Sequence, residues 1–288
     1  MQIIESPQEM QQLSSGWKCE GQSIGFVPTM GALHDGHLVL AKRARAENSR
    51  FVASVFVNPL QFSVNEDLGK YPRPFEDDCA MLRDAGCDAV FTPSVQTMYG
   101  TSTHQEALHL PHTYIEVAML GEVWEGVVRP GHLRGVATVV TKLFNIVLPQ
   151  RAYFGEKDFQ QLRIVEQLVH DLNFPISVVP VETVREADGL ALSSRNAYLN
   201  LEERAAAKVI YGALSEGVAI ARDGESDVTK LGAHMQQIIE AEALVHVQYL
   251  TVVDAVTLES LSHLDGRPAR ILIAARVGQT RLIDNMPL

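Results

Sequence analysis

The run Ile24-Gly25-Phe26-Val27-Pro28-Thr29-Met30-Gly31-Ala32-Leu33-His34-Asp35-Gly36-His37 decides the architecture. Its first part is a near-continuous apolar stretch, as expected of a strand buried on both faces. It then breaks into glycines and histidines, and a helical pattern over residues 37–47 follows, with Asp35 or Gly36 near its start. A strand that feeds a helix through a short glycine-bearing turn opens a parallel β–α–β unit. Outward from it the alternation repeats. Residues 51–57, 88–91, 152–154 and 176–181 read as strands. Residues 135–147 and 159–172 read as helices, the former with Val136, Val139, Val140, Leu143 and Val147 on one side. Such alternation predicts an α/β fold, a parallel sheet with helices on both faces, over residues 1–183. Beyond residue 183 two helical segments, 202–222 and 227–243, precede strand-like runs at 246–253, 270–277 and 280–284. That order predicts a smaller α+β domain over residues 184–288.

The 288 residues are enough for two compact domains. A net charge of −11 argues against nucleic acid as the main partner, because a phosphate backbone needs a basic footprint. A phosphorylated small ligand needs only a local cluster of donors. Cys19, Cys79 and Cys87 are odd in number and form no C-x-x-C pair, so neither a disulfide framework nor a structural zinc site is expected. The N-terminus shows no signal-peptide pattern, and no apolar run approaches the roughly 20 residues of a membrane span. A soluble cytoplasmic protein is expected.

Four segments carry side chains suited to chemistry. In the first, Gly31 and Gly36 let the backbone approach a ligand. His34 and His37 are three apart and share one side of a first helical turn, where open N–H groups and the helix dipole attract phosphate. No Walker A run and no G-x-G-x-x-G is present, and the histidine spacing is not H-E-x-x-H. In the second, Phe56-Val57-Asn58-Pro59-Leu60-Gln61-Phe62 closes the strand at 51–57, on the edge where α/β sheets bind ligands. There Gln61 offers an amide to a hydroxylated or carboxylated substrate, although Asn-Pro serves equally well to end a strand. In the third, Gly155-Glu156-Lys157-Asp158 precedes a helix that carries Gln161. Taken alone, Lys157 and Asp158 read better as solvated charges. In the fourth, Leu192-Ser193-Ser194-Arg195-Asn196 sets two hydroxyls and a guanidinium in one loop, which suits a phosphate clamp or simply a turn and helix cap. Asp77 and Asp78 fit the first turn of a helix better than a metal site. His104, His109 and His112 match no ordinary ligand spacing. Arg129 to Gly135 forms a basic loop ahead of a helix.

In combination and in this order, these segments resemble the pantoate–β-alanine ligases of the nucleotidylyltransferase-like superfamily. Tyr71-Pro72-Arg73 and the closing Arg281-Leu282-Ile283-Asp284-Asn285 add to the likeness, which covers nearly the whole chain. The resemblance implies a Rossmann-like first domain, a smaller lid domain and a homodimer. It implies ATP with Mg²⁺, (R)-pantoate and β-alanine as substrates, and no tightly bound organic cofactor. By position, His34 and His37 would hold ATP phosphates, with His37 the proton donor or charge stabiliser. Gln61 and Gln161 would bind pantoate oxygens beside Asn58, and Met30, Val139 and Val140 would pack its methyl groups. Lys157, Ser193, Ser194 and Arg195 would grip phosphates, and Asp158 the ribose. Met30, Gly31, Gly155, Glu156, Val184 and Leu192 would lie along the nucleotide. Leu60, Leu133 and Leu192 stand where Met, Phe and Met are common, and Trp124-Glu125-Gly126-Val127-Val128 departs from the usual pattern. The competing readings are a nucleotidylyltransferase acting on another small substrate and a nucleotide-binding module without turnover.

Overall fold

The computed structural model describes residues 1–62, 68–100 and 111–288; His104 and His109 lie outside them. The chain divides into two compact units, Met1–Glu156 with Gln161–Val181, and Lys157–Gln160 with Glu182–Leu288.

The first unit is built on six parallel strands: β1 (Gln2–Ile4), β2 (Ile24–Thr29), β3 (Arg50–Val55), β4 (Ala89–Phe91), β5 (Arg151–Gly155) and β6 (Ser177–Val181). Their spatial order is β1-β4-β3-β2-β5-β6. Between them run α1 (Pro7–Cys19), α2 (Asp35–Glu47), α3 (Phe75–Asp84), the short α4 (Val95–Tyr99) and α5 (Glu125–Val128), α6 (His132–Val147) and α7 (Phe159–Asp171). Odd and even residues of the strands serve opposite faces. On one face Val27, Phe51, Ala53, Val90 and Tyr153 pack against Leu40, Ala41 and Ala44 of α2 and Cys79 and Leu82 of α3. On the other, Phe154 meets Phe144 of α6 edge-on, with ring centroids 6.4 Å apart, and α1 packs against α6. Both faces are covered, which is why the strands are apolar throughout.

Chain order reverses between β2 and β5. From β2 the chain winds outward through β3 to β4, then returns across to β5. In an open α/β sheet the crevice at the carboxyl ends of the strands beside such a switch point is where ligands bind. The topology thus selects the residues after Thr29 and those after Phe154 before any chemistry is considered.

The second unit holds an antiparallel sheet of β7 (Val245–Asp254), β8 (Ala269–Val277) and β9 (Thr280–Pro287), with α8 (Leu201–Ala206), α9 (Lys208–Arg222) and α10 (Val228–Glu240). Ile271, Ile273, Ala275 and Val277 of β8 form a core with Ile210, Leu214 and Val218 of α9 and Leu231, Met235 and Ile239 of α10. The continuous helix expected over 202–222 is two helices. They meet at Ala207, where Ile210 N donates to Ala207 O in a tight i→i+3 turn. The strand expected over 51–57 stops at Val55, because Asn58 turns the chain into a 3₁₀ turn, Pro59–Gln61. Asp77 and Asp78 do lie in the first turn of α3. No described helix is long and apolar enough to cross a membrane.

Candidate active site

The loop after β2 turns on Gly31, at φ 84°, and Ala32, at φ 52°. Asp78 holds it in place. This carboxylate is 1% exposed and accepts the amides of Ala32 at 2.9 Å and Leu33 at 2.7 Å. A Cβ on Gly31 would come within 2.9 Å of Asp78 Oδ2, so glycine is needed both for its φ and for this approach. Burial pushes the Asp78 carboxyl above its ordinary pKa, against the two amides, which pull it down. The native protein therefore loses stability as pH climbs from the unfolded value of about 4 through the raised one. Asp78→Asn carries no such titration. Its urea midpoint should gain on the parent's as pH rises above about 4, and a constant gap would contradict the burial argument.

His34 caps α2 and His37 sits three residues on, their ring centroids 4.1 Å apart. His34 N donates to His37 Nδ1 at 3.3 Å, and Gly36 N donates to His34 Nδ1 at 3.2 Å. A ring nitrogen accepts only when it carries no proton, so each neutral imidazole is held as its Nε2–H tautomer. The sequence suggested open amides at this helix start. Instead, the Gly31 amide goes to Thr29 Oγ1, those of Ala32 and Leu33 to Asp78, and those of His34 and Gly36 to imidazoles. The two Nε2–H groups stand at the positive end of a helix.

Met30 and Gln61 meet within the same unit. Gln61 Nε2 lies 2.9 Å from Met30 Sδ, and Gln61 Oε1 accepts from Asn58 Nδ2 at 3.1 Å. Val139 and Val140 lie in α6 and are buried. Gly155 ends β5, Glu156 opens the following 3₁₀ turn, and Gln161 lies in the first turn of α7. Glu125 is buried and lies 3.8 Å from Arg129. The basic loop expected at 129–135 is therefore partly neutralised, and from His132 onward it is helix.

The second unit gathers the other predicted residues. Leu192 N donates to Val184 O at 3.0 Å. Ser193 caps the 3₁₀ turn Ser194–Tyr198 and accepts the Arg195 amide at 3.3 Å. The Lys157 side chain is 20% exposed and lies 3.7 Å from Asp158, so it is not the solvated charge that the isolated segment suggested. Three residues that the sequence reading gave no role tie this unit together. Arg185 makes a two-pronged pair with Asp284, at 2.6 and 2.9 Å. It also donates to the carbonyls of Gly189 and Asn285. Asn285 in turn donates to Lys157 O at 2.9 Å. The closing Asp284-Asn285 thus fixes both the hairpin that leads into Ser193 and the backbone of Lys157.

A family profile described as pantoate-beta-alanine ligase matches residues 2–287. The chain belongs to the pantoate–β-alanine ligase family. A pantothenate synthetase of Rubrobacter xylanophilus is 53% identical over 286 residues, 99% of this chain and 98% of that one. The crystal structure of pantothenate synthetase from Thermus thermophilus superposes with a TM-score of 0.90 at 46% identity, covering 99% of each chain. A pantoate–β-alanine ligase from Francisella tularensis, crystallised with "Beta-gamma ATP" and β-alanine, superposes at 0.77 with 33% identity, covering 99% of this chain and 97% of that one. Membership accounts for the doubly wound sheet with its small second sheet. Of the departures from the family pattern, Leu133 is buried in α6 and stays apolar. Trp124, by contrast, takes φ 47°, a conformation that a bulky side chain seldom adopts.

Proposed function

We propose that this protein condenses (R)-pantoate with β-alanine, using ATP and releasing AMP and pyrophosphate, through a pantoyl adenylate. The observation that carries the reading is the pair of Nε2–H imidazoles at the start of α2, next to the loop whose Met30 meets the uncharged amide of Gln61. Fixed donors suit a polyphosphate, and an uncharged amide suits a hydroxy acid better than a phosphomonoester.

In the first step a pantoate carboxylate oxygen bonds to the α-phosphorus of ATP. The bond from that phosphorus to the bridging oxygen breaks, and pyrophosphate leaves with the electron pair. No proton changes hands, so His37 acts as a charge stabiliser rather than as the proton donor. His34 holds phosphate beside it. Lys157, Ser193, Ser194 and Arg195 hold further phosphate oxygens, Asp158 holds the ribose, and Gly31, Gly155, Glu156, Val184 and Leu192 border the nucleotide. Gln61, Asn58 and Gln161 hold pantoate, with Met30, Val139 and Val140 around its methyl groups. Holding both reactants in line can contribute roughly 7–11 kcal/mol. In the second step the amine of β-alanine attacks the acyl carbon, loses a proton and displaces AMP. Among the described residues no group of three or more His, Cys, Asp or Glu is placed to hold a metal ion. The resemblance supports Mg²⁺ accompanying ATP. The resemblance also supports a cytoplasmic homodimer, which sedimentation would show as twice the chain mass.

The test is isotope exchange. With ATP, Mg²⁺, pantoate and labelled pyrophosphate, but no amine, label should enter ATP only when pantoate is present. Adding β-alanine should yield AMP and pantothenate. Absence of pantoate-dependent exchange would overturn the assignment.

A further inference from the structure

We propose that Tyr99 is a positioning residue that steadies Asn58 and, through it, holds the NH₂ end of the Gln61 amide toward the acid substrate. The inference rests on the reading above and refines its pantoate site.

Asn58 is 1% exposed. Its Oδ1 accepts the Tyr99 hydroxyl at 2.8 Å and the Leu60 amide at 3.3 Å. Its Nδ2 donates to Gly135 O and to Gln61 Oε1, both at 3.1 Å. Exchanging the oxygen and nitrogen of Asn58 would set an NH₂ against the Leu60 N–H and an oxygen against the Gly135 carbonyl. Two buried like-with-like contacts would result, so the side chain has one orientation. Because Asn58 presents a donor to Gln61, the Gln61 oxygen is taken. Its Nε2 faces the other way, toward Met30 Sδ, which can only accept.

Tyr99 adds the shortest bond to this network: its hydroxyl donates to the Asn58 oxygen and steadies the orientation that the Leu60 amide and the Gly135 carbonyl define. Its ring packs near Phe56, with centroids 6.1 Å apart. Lys142 Nζ lies 5.8 Å from the ring centroid. Burial pushes the phenol pKa up, so the hydroxyl keeps the proton that it donates to Asn58 at ordinary pH. The backbone of Gln61 is held independently. Its carbonyl accepts from His132 Nδ1 at 2.8 Å, and His132 Nε2 then takes a hydrogen bond from Arg129 at 2.9 Å. Gln61 therefore presents a fixed NH₂. It receives carboxylate or hydroxyl oxygens and gives nothing to an ammonium group. A hydroxy acid is accepted where an amine is refused, so the two co-substrates are told apart at this position.

Tyr99→Phe removes one hydroxyl and keeps the ring. It should raise KM for pantoate about three- to tenfold and leave KM for ATP within about twofold. In a Gln61→Ala background the same substitution should have no effect on KM for pantoate, because its route of action is gone. A merely structural tyrosine would raise both KM values, or act equally in either background, and either result overturns the proposal. So does an unchanged KM. If Tyr99→Phe fails to fold, Asn58→Asp decides. It offers Gln61 an acceptor, turns the amide and should raise KM for pantoate more than tenfold. An unchanged KM there also overturns the proposal. Absence of pantoate turnover by the parent enzyme would instead mean that the functional reading itself had failed.

Discussion

His37→Ala should lower pantoate-dependent ATP–pyrophosphate exchange by about 10²–10³, the usual loss when one preorganised donor to developing charge is removed. The geometry gives this figure a specific basis. His37 Nδ1 accepts the His34 amide, so the ring is oriented before substrate arrives and its Nε2–H needs no reorganisation. The same bond means that alanine removes two things, a donor and half of a helix cap. His37→Gln separates them. A glutamine at this third position of the helix can return its oxygen to the His34 amide, as in an ordinary capping box. It should therefore restore the parent's melting temperature while recovering only part of the exchange rate. An exchange rate in His37→Ala equal to the parent's would remove the residue from its role. Full recovery in His37→Gln would reduce that role to capping.

The crossover that carries these histidines was legible because its signal is local. An apolar run, two glycines and a helical period lie within two dozen residues. What shapes the loop was not legible. Asp78 reaches the Ala32 and Leu33 amides across 46 and 45 residues, and nothing near Asp78 in sequence distinguishes it from Asp77 beside it. Arg185 and Asp284 stand 99 residues apart, so only the family likeness of the final Asp284-Asn285 hinted at their use. Small elements escaped for a different reason. β1 has three residues and buries one, Ile4. In α1 only Met10, Ser14 and Trp17 are buried, and two of those three are not aliphatic. Its start, Ser6-Pro7 with Glu9 following, carries an ordinary cap and proline signal that the hydrophobic pattern alone does not show. Ser193, whose backbone partner is near in sequence, was readable as a cap, whereas the helix start expected at Asp35 or Gly36 gave no sign that His34 caps it. Side chains whose partners come from distant strands became apparent only once the sheet order was known.

Gly135→Ala should reduce kcat/KM for pantoate by about 10² or more while changing global stability by no more than about 2 kcal/mol. Gly135 lies in α6 where that helix passes the Pro59–Gln61 turn, and its carbonyl receives Asn58 Nδ2. A Cβ there would overlap the Leu60 carbonyl and stand 2.7 Å from Gln61 N. Both contacts are backbone, so no flexible side chain can yield, and the turn or the helix must move. Replacing a helical glycine by alanine ordinarily gains about 1 kcal/mol. Overpacking of this kind costs about 1–3 kcal/mol, so the two terms largely cancel in the stability. They do not cancel in the rate. Displacing Leu60 and Gln61 shifts the amide proposed to hold pantoate, and a 1 Å misplacement costs about 10²-fold. Gly212→Ala in α9 is the control, since a Cβ there meets nothing within 4 Å. It should raise stability by about 0.5–1 kcal/mol and leave turnover unchanged. Equal activity in both variants would mean that the turn carrying Gln61 is soft, and a soft turn could not hold an acid substrate in line with a nucleotide.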